Sequence, residues 1–477
     1  MPSQRCLFRS FLYVVCFSVL IPFIVFVYVE YIDRYSYSIP DIELEAGETK
    51  ERHDPAGELR ALKEVITAPI ILWWTPFTGD PGSYKRCGNH KCFFTVDRHY
   101  RRHNQTKVFM FYGTDLDHVD LPIPRNPNQH WGLLHEESPK NNYIYSHKAI
   151  VTLFNHTCTF KRESDYPIST QYLPSLDWLS STKYIVPVAE KNRLQKAELS
   201  PLLYVHSDCG TPSDRDTYVE LLMKHMNVDS YGKCLHNKDL PPHLQHPIQG
   251  MDHTDFYKLI SKYKFSLAFE NSLCDDYMTE KLWRPLMLGS VPIVMGSPKV
   301  KDFLPSNHSA IIVDDFKSIT ELVEYLKFLN ENDDEYEKYL SWKKTGIQNK
   351  YLIELMKKRE WGVDGSHGTK YHNFIDGFEC FVCQRIHENE LAMKHGEKPR
   401  TYLSSHSHYG CPGPTAYNSD GIRSDGSNSW DYEFANSQFT ASALRYHVEK
   451  GLPYTNKQLL ATANMMRDGN FNKDLKK

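Results

Sequence analysis

Three groups of residues in this 477-residue chain are of types that do chemistry. Near the middle, Phe265-Ser266-Leu267-Ala268-Phe269 runs into Glu270-Asn271-Ser272, and Tyr277-Met278-Thr279-Glu280-Lys281 follows. Upstream, Arg215 stands shortly after an apolar run that ends at His206, and earlier still Glu136-Glu137 precedes Ser138-Pro139. Lys281, Arg215 and the amide donors of a helix starting near Thr279 can neutralise a departing pyrophosphate, while a glutamate can take the proton of an attacking hydroxyl. That combination suits a nucleotide-sugar site. The same residues also fit plainer roles: Glu270, Glu280 and Lys281 as loop and first-turn charges, Arg215 as a solvated helix charge, and the paired glutamates as a loop cap.

The elements that must position them are legible in outline. Phe265 to Phe269 is short, apolar and aromatic, as a buried strand should be, and Lys281, Leu282, Trp283 and Leu286 recur with helical spacing before Val291-Pro292-Ile293-Val294 resumes a strand. Strand, loop, helix and strand make a right-handed βαβ unit, which binds ligands beyond the carboxyl ends of its strands, where Glu270 and Asn271 fall. Pro201 to His206, a helix from Arg215 through Leu222, Ile311-Ile312-Val313 and an amphipathic stretch from Thr320 to Leu329 complete one α/β lobe. An earlier lobe is expected from Ile70-Ile71-Leu72-Trp73-Trp74, Val108 to Tyr112, Trp131 to Leu134 and Ile150 to Phe154, all read as strands. Two α/β lobes imply a cleft between them. Beyond Trp361 the pattern weakens; the last hundred residues or so read as loop-rich, with Glu433 to Glu449 a helix.

Composition excludes some classes. With 40% hydrophobic and 13% aromatic residues the chain is globular, and a formal charge of -3 leaves no basic field for nucleic acid. Arg5 and Arg9 precede an uncharged apolar stretch from Leu12 to Val29, and Glu30 and Asp33 follow it. Roughly 18 residues suffice to span a bilayer, and the positive flank keeps the amino terminus cytoplasmic. The expected organisation is a tail over 1–10, a signal anchor over 11–29, a charged stem over 30–66, lobes over 67–196 and 197–363, and an extension over 364–477. Sequons at Asn104, Asn155 and Asn307 agree with a lumenal body. Nine of the 11 cysteines lie in that body, so an oxidising lumen pairs most and leaves at least one odd. Cys87-x4-Cys92 with Cys380-x2-Cys383 has the spacing of a four-sulfur zinc site as well as of two disulfides, and the lumenal context favours disulfides.

The stretch from Tyr263 to Pro298 resembles the signature of the α1,3-fucosyltransferases of glycosyltransferase family 10, a phenylalanine-glutamate-asparagine-serine turn followed by tyrosine-x-threonine-glutamate-lysine. Leu203-Tyr204-Val205-His206-Ser207 with Arg215-Asp216-Thr217-Tyr218 is similar to the family's second donor element, Glu137-Ser138-Pro139 to its acceptor-lobe element, and Phe154 to Asp165 to a further stretch. Matches run from Pro69 to about Trp361. Motifs His135 to Asn142, Ser207-Asp208-Cys209 and Pro212 to Asp216 look like the divergent branch regarded as protein O-fucosyltransferases of the endoplasmic reticulum. One departure is Pro285, where Lewis-type members carry asparagine; it bears on the acceptor.

The resemblance implies a GT-B enzyme with two Rossmann-like lobes that inverts the β-linked fucose of GDP-fucose. It implies Glu137 as general base, with Glu136 second, and Arg215, Ser207, Glu270, Asn271, Tyr277, Glu280 and Lys281 on the donor side, Arg215 and Lys281 at phosphate. It also ties Cys87 and Cys92 to Cys380 and Cys383; Cys209 with Cys234 is a further expected pair. No cofactor and no essential metal are expected, GDP-fucose being a substrate. The implied acceptor is Ser or Thr of EMI-type domains, in the endoplasmic reticulum membrane. A GlcNAc acceptor on N-glycans or lactosamine in the Golgi is the alternative, and a non-catalytic lumenal protein that binds glycan or client is the rival of another class.

Overall fold

The computed structural model describes residues 54–77, 79–363 and 368–471. The expected tail and anchor lie outside the described residues. Among the described residues no helix is long and apolar enough to cross a membrane. By contacts the chain forms two units, Met1–Arg60 and Ala61–Lys477, and the second carries everything described below.

Two mainly parallel sheets organise it. The first orders β2 (Ser83–Cys87), β3 (His90–Thr95), β1 (Ile70–Thr75), β4 (Thr106–Tyr112), β5 (His130–His135), β6 (His156–Thr159) and β7 (Tyr166–Pro167). Only the β2–β3 pair is antiparallel. Alternation along β1 sends Ile70, Leu72 and Trp74 into one core and Ile71 and Trp73 into another, so both faces are covered, as parallel sheets require. The second sheet, wholly parallel, orders β12 (Ile311–Ile312), β11 (Val291–Met295), β10 (Phe265–Phe269), β8 (Leu202–Tyr204) and β9 (Val228–Ser230). Its core gathers Leu202, Phe265, Phe269, Ile293 and Leu326. The chain is thus α/β with two Rossmann-like sheets, and Glu137 and Glu270 both stand just past the carboxyl ends of strands.

Two expectations are corrected. Ile150 to Phe154 is not a strand: a short helix covers Lys148–Val151, and the strand comes next, as β6. Its sequence, His-Thr-Cys-Thr, looks polar, but Thr157 hydrogen-bonds Asp165 at 3.1 Å and His156 lies 3.0 Å from His130, so these polar groups are buried with partners. The extension is loop-rich from 395 to 430 as expected, and the expected Glu433–Glu449 helix is part of a longer one, but two further helices flank it. Its described residues carry three α-helices, labelled with the two central ones in chain order: α1 (Arg215–Met223), α2 (Glu280–Leu288), α3 (Phe374–Lys394), α4 (Asp431–Lys450) and α5 (Asn456–Arg467). α3 lies against the β2–β3 edge, where buried Glu379 receives hydrogen bonds from Lys85 and from the Trp73 indole, each at 2.7 Å. α4 packs on the Lys148–Val151 helix, with Arg445 donating to Thr152 at 2.7 Å. Faces that serve several neighbours blur the helical repeat in sequence.

Cys87 is bonded to Cys380 and Cys92 to Cys383, clamping α3 to the β-hairpin, and Cys209 is bonded to Cys234. Cysteines 274 and 411 form a fourth bridge that spacing did not reveal, and Cys158 stays free and buried. The two α3 bridges close nearly the same loop, of separation 293 and 291. Their losses are therefore expected to be non-additive. Replacing either pair by alanine opens only the small ring between the bridges, worth roughly 3 kcal/mol, whereas losing both frees the whole loop for roughly 5 to 6 kcal/mol more in the chain-entropy account. Denaturant titration of the three variants checks this; equal, additive losses would refute it.

Of the three sequons, Asn104 and Asn307 are exposed. Asn155 is half-buried and committed: its amide donates to the Tyr402 carbonyl at 3.0 Å, and its carbonyl accepts from the Trp131 N–H at 2.8 Å and from Arg125 at 2.6 Å. In the folded chain Asn155 acts as a junction between β5 and the extension.

Candidate active site

The donor-side residues are set by one local construction. β10 ends at Phe269, and the next residue, Glu270, is buried and turned back on the helix start. Its carboxylate accepts from the Thr279 N–H at 2.7 Å and from the Thr279 hydroxyl at 2.9 Å. Thr279 is the N-cap of α2, and its hydroxyl accepts from the Lys281 N–H. A carboxylate at the positive end of a helix is favourably placed. α2 continues through Pro285 and stops at Gly289, whose left-handed φ of 70° is the usual glycine C-cap. Burial pushes the Glu270 pKa up, with Lys281 opposing. Glu270 thus fixes the start of α2, and Lys281 lies 3.6 Å from it.

Lys281 also reaches Glu280 at 3.1 Å and the Thr279 hydroxyl at 3.0 Å. Burial alone lowers a lysine, but Glu280 and Glu270 overcome it and hold its pKa above the usual value. The reciprocal holds for Glu280, which burial raises but which Lys281 and Arg284 bring down to about 2. Both groups are charged at any working pH.

These side chains open onto a cavity of about 700 Å³. Arg215, Ser207, Asn271, Glu280 and Lys281 all line it, in the company of His206. Arg215 is 1% exposed, and its guanidinium donates to the carbonyls of Phe269 at 2.9 Å and Asp208 at 2.6 Å, tying α1 to the end of β10 and to the loop after β8. His206 is held neutral by burial and lies 3.1 Å from the Phe269 carbonyl. Behind it, a Cβ on Gly232 would stand 1.9 Å from the His206 oxygen, so only glycine lets β9's exit pass so close. Three buried polar atoms of this wall, Asn271 Oδ1, Arg215 Nε and His206 Nδ1, have no protein partner. Buried polar atoms are nearly always paired, so such a group marks a place for a polar ligand. Lys233, His236 and Arg284, which the sequence reading passed over, add basic groups to the lining; no local signal distinguishes them from surface charges.

Glu137 comes from the other sheet, beyond the end of β5. Its Oε2 accepts from the Tyr277 hydroxyl at 3.2 Å. Tyr277 is 2% exposed and belongs to the loop before α2, so it is a bridge between the two half-sites rather than part of the cavity wall. Burial raises the Glu137 pKa, while Lys281 and the Tyr277 bond pull it down and Glu280 pushes it up. Glu136 accepts from the Tyr112 hydroxyl at 2.9 Å, and burial pushes its pKa up to about 7. Of the paired glutamates, Glu137 is therefore the one that faces the donor side. Arg162 completes the junction, gripping Asp276 of the donor-side loop at 2.7 Å and Asp302 at 2.9 Å.

A half-buried lysine at the wall of a cavity, with a carboxylate of raised pKa coupled to it, is an arrangement for group transfer from an anionic leaving group to a hydroxyl. Comparison with known proteins agrees. The family profile "Fucosyltransferase, N-terminal" matches residues 67–172, and "Glycosyltransferase family 10 (fucosyltransferase) C-term" matches residues 195–398. The chain is 49% identical over 394 residues to GDP-fucose protein O-fucosyltransferase 3 of Gallus gallus, covering 82% of each chain. It is 46% identical over 400 residues to the Homo sapiens protein of the same name, covering 83% of this chain and 82% of the relative. A solved structure, an α1,3-fucosyltransferase with GDP, aligns over 70% of this chain and 96% of its own at 16% identity and a TM-score of 0.38. With both halves of the site inside the two matched regions and relatives near half identity over most of their length, the chain belongs to glycosyltransferase family 10, the fucosyltransferases.

Proposed function

We propose that this protein moves L-fucose from GDP-fucose to Ser or Thr hydroxyls of secretory-pathway proteins, with inversion at the fucose C1. The observation that carries the reading is a cavity walled by Lys281, Arg215 and the unpartnered Oδ1 of Asn271, with Glu137 outside its lining but coupled to Lys281 and joined to the donor loop through Tyr277. The relatives' shared name, GDP-fucose protein O-fucosyltransferase 3, supports both donor and acceptor class. In this reading the acceptor oxygen forms a bond to C1 as the C1–O bond to the β-phosphate breaks. Glu137 takes the hydroxyl proton, and GDP leaves with the bonding electrons. Lys281 and the charge of Arg215 take up the negative charge, so we propose no divalent metal for this step.

Small disulfide-rich EMI-type domains are the acceptor we propose, with the two sheets forming the lobes of a GT-B enzyme anchored in the endoplasmic reticulum membrane by the apolar segment over 11–29. The test is transfer of radiolabelled fucose from GDP-fucose to folded EMI domains and, in parallel, to N-glycans and lactosamine. Labelling of Ser or Thr in the EMI domain is expected. Labelling of GlcNAc alone refutes the acceptor, and GDP binding without transfer to any of them refutes the enzyme.

A further inference from the structure

Glu137 is held at two points by tyrosines from distant parts of the chain, and one disulfide ties those tyrosines together. Tyr277 bonds the carboxylate, as above. Tyr409, from the carboxy-terminal extension, donates its hydroxyl to the backbone carbonyl of the same Glu137 at 2.9 Å. Cys274 lies three residues before Tyr277 and Cys411 two after Tyr409; the two cysteines are bonded, with Cα atoms 5.0 Å apart. The ring closes from the Glu137 carboxylate through Tyr277, Cys274, Cys411 and Tyr409 back to the Glu137 carbonyl. Phe160 fills its middle, with ring centroids 5.0 Å from Tyr277 and 5.2 Å from Tyr409. Tyr409 is fully buried and stacked on His135, centroids 5.1 Å apart, so its ring has one place to be.

The need for such a hold is physical. Glu137 lies past the last residue of β5, where the sheet ladder no longer fixes its peptide. A base must sit within hydrogen-bond reach of the proton it takes, and a misplacement of about 1 Å costs on the order of 100-fold in rate. One bond to a carboxylate leaves the main chain free to turn; a second to the carbonyl removes that freedom. The same extension then crosses to the donor side. The Ser404 N–H still donates to the Phe154 carbonyl of the first lobe at 3.1 Å; farther on, the Thr415 N–H donates to the Pro212 carbonyl at 2.8 Å and the Trp430 indole to the Gly210 carbonyl at 2.6 Å, in the loop that leads to Arg215.

We propose that Tyr409, anchored by the Cys274–Cys411 disulfide, is a positioning residue for the catalytic glutamate, so that the carboxy-terminal extension supplies part of the active-site geometry. This rests on the reading of Glu137 as the base. The test compares Tyr409→Phe, which keeps the ring and removes the hydroxyl, in the wild-type and Glu137→Gln backgrounds, with Cys274→Ser/Cys411→Ser as a second route. Fucose transfer, GDP calorimetry and thermal melting are read on the full chain. Tyr409→Phe is expected to lower kcat by about 10-fold with KM for GDP-fucose and GDP affinity within about 2-fold, and to have little further effect once Glu137 is glutamine. The double serine variant is expected to show the same kcat loss or a larger one; if it does not fold, Tyr409→Phe decides alone. Full kcat in Tyr409→Phe while Glu137→Gln is inactive overturns the proposal and leaves the base reading standing. Equal losses in both backgrounds, with weaker GDP binding, make Tyr409 merely structural and overturn it too. Normal turnover in Glu137→Gln overturns the base reading and this proposal with it.

Discussion

Glu137→Gln is expected to lower turnover by about 100-fold or more while GDP binding stays unchanged or tightens slightly. The substitution is nearly isosteric, and the Tyr277 hydroxyl can still donate to the remaining carbonyl oxygen at the 3.2 Å position. What disappears is the proton acceptor, together with a negative charge near Lys281. The pH profile follows from the same group. Only the carboxylate accepts a proton, so activity is lost as pH falls through the Glu137 pKa. Burial sets that pKa above the ordinary glutamate value, and the acid limb should therefore lie above the range of an exposed carboxylate and vanish in the glutamine variant. A steady-state profile beside calorimetry with GDP reads both effects. Near-normal turnover in Glu137→Gln assigns the base elsewhere, with Glu136 next; its pKa near 7 and its bond to Tyr112 then become the relevant facts.

The second large effect belongs to Lys281→Ala. Removing a charge-assisted contact to phosphate costs about 1.5 to 3 kcal/mol, roughly 10- to 100-fold in GDP affinity. A second consequence has a fixed sign. Lys281 pulls the Glu137 pKa down, so without it that pKa rises and the acid limb moves to higher pH. Unchanged GDP affinity with an unmoved limb would show that Lys281 serves only its pairing with Glu280 and Glu270. Arg215→Ala should behave differently despite the shared positive charge. Its guanidinium satisfies the Phe269 and Asp208 carbonyls from a fully buried position, so weaker GDP binding should be accompanied by a marked fall in melting temperature. Thermal melting of the two variants, with and without GDP, separates binding from support.

Much of the donor half was legible because its parts are local. Strand β10, the turn at Glu270 and the helix from Thr279 occupy one continuous stretch, and hydrophobic runs and cap residues there report directly on backbone geometry. The sequence alone therefore determined the α/β class, the placement of Glu137 and Glu270 at strand ends, and the residue types able to meet a pyrophosphate. It could not tell Glu270, which braces the helix, from Asn271, which lines the cavity, since neighbours in sequence face opposite ways only once the fold exists. Nor could it reveal β6, whose Thr and His side chains look solvent-loving until Asp165 and His130 pair with them. The hold on Glu137 is the furthest from any local signal. Tyr409 lies 272 residues from the carbonyl it bonds, and Cys411 lies 137 from its partner. No periodicity or spacing encodes such a contact, because it exists only where packing of the extension against both sheets brings the two ends of the site together.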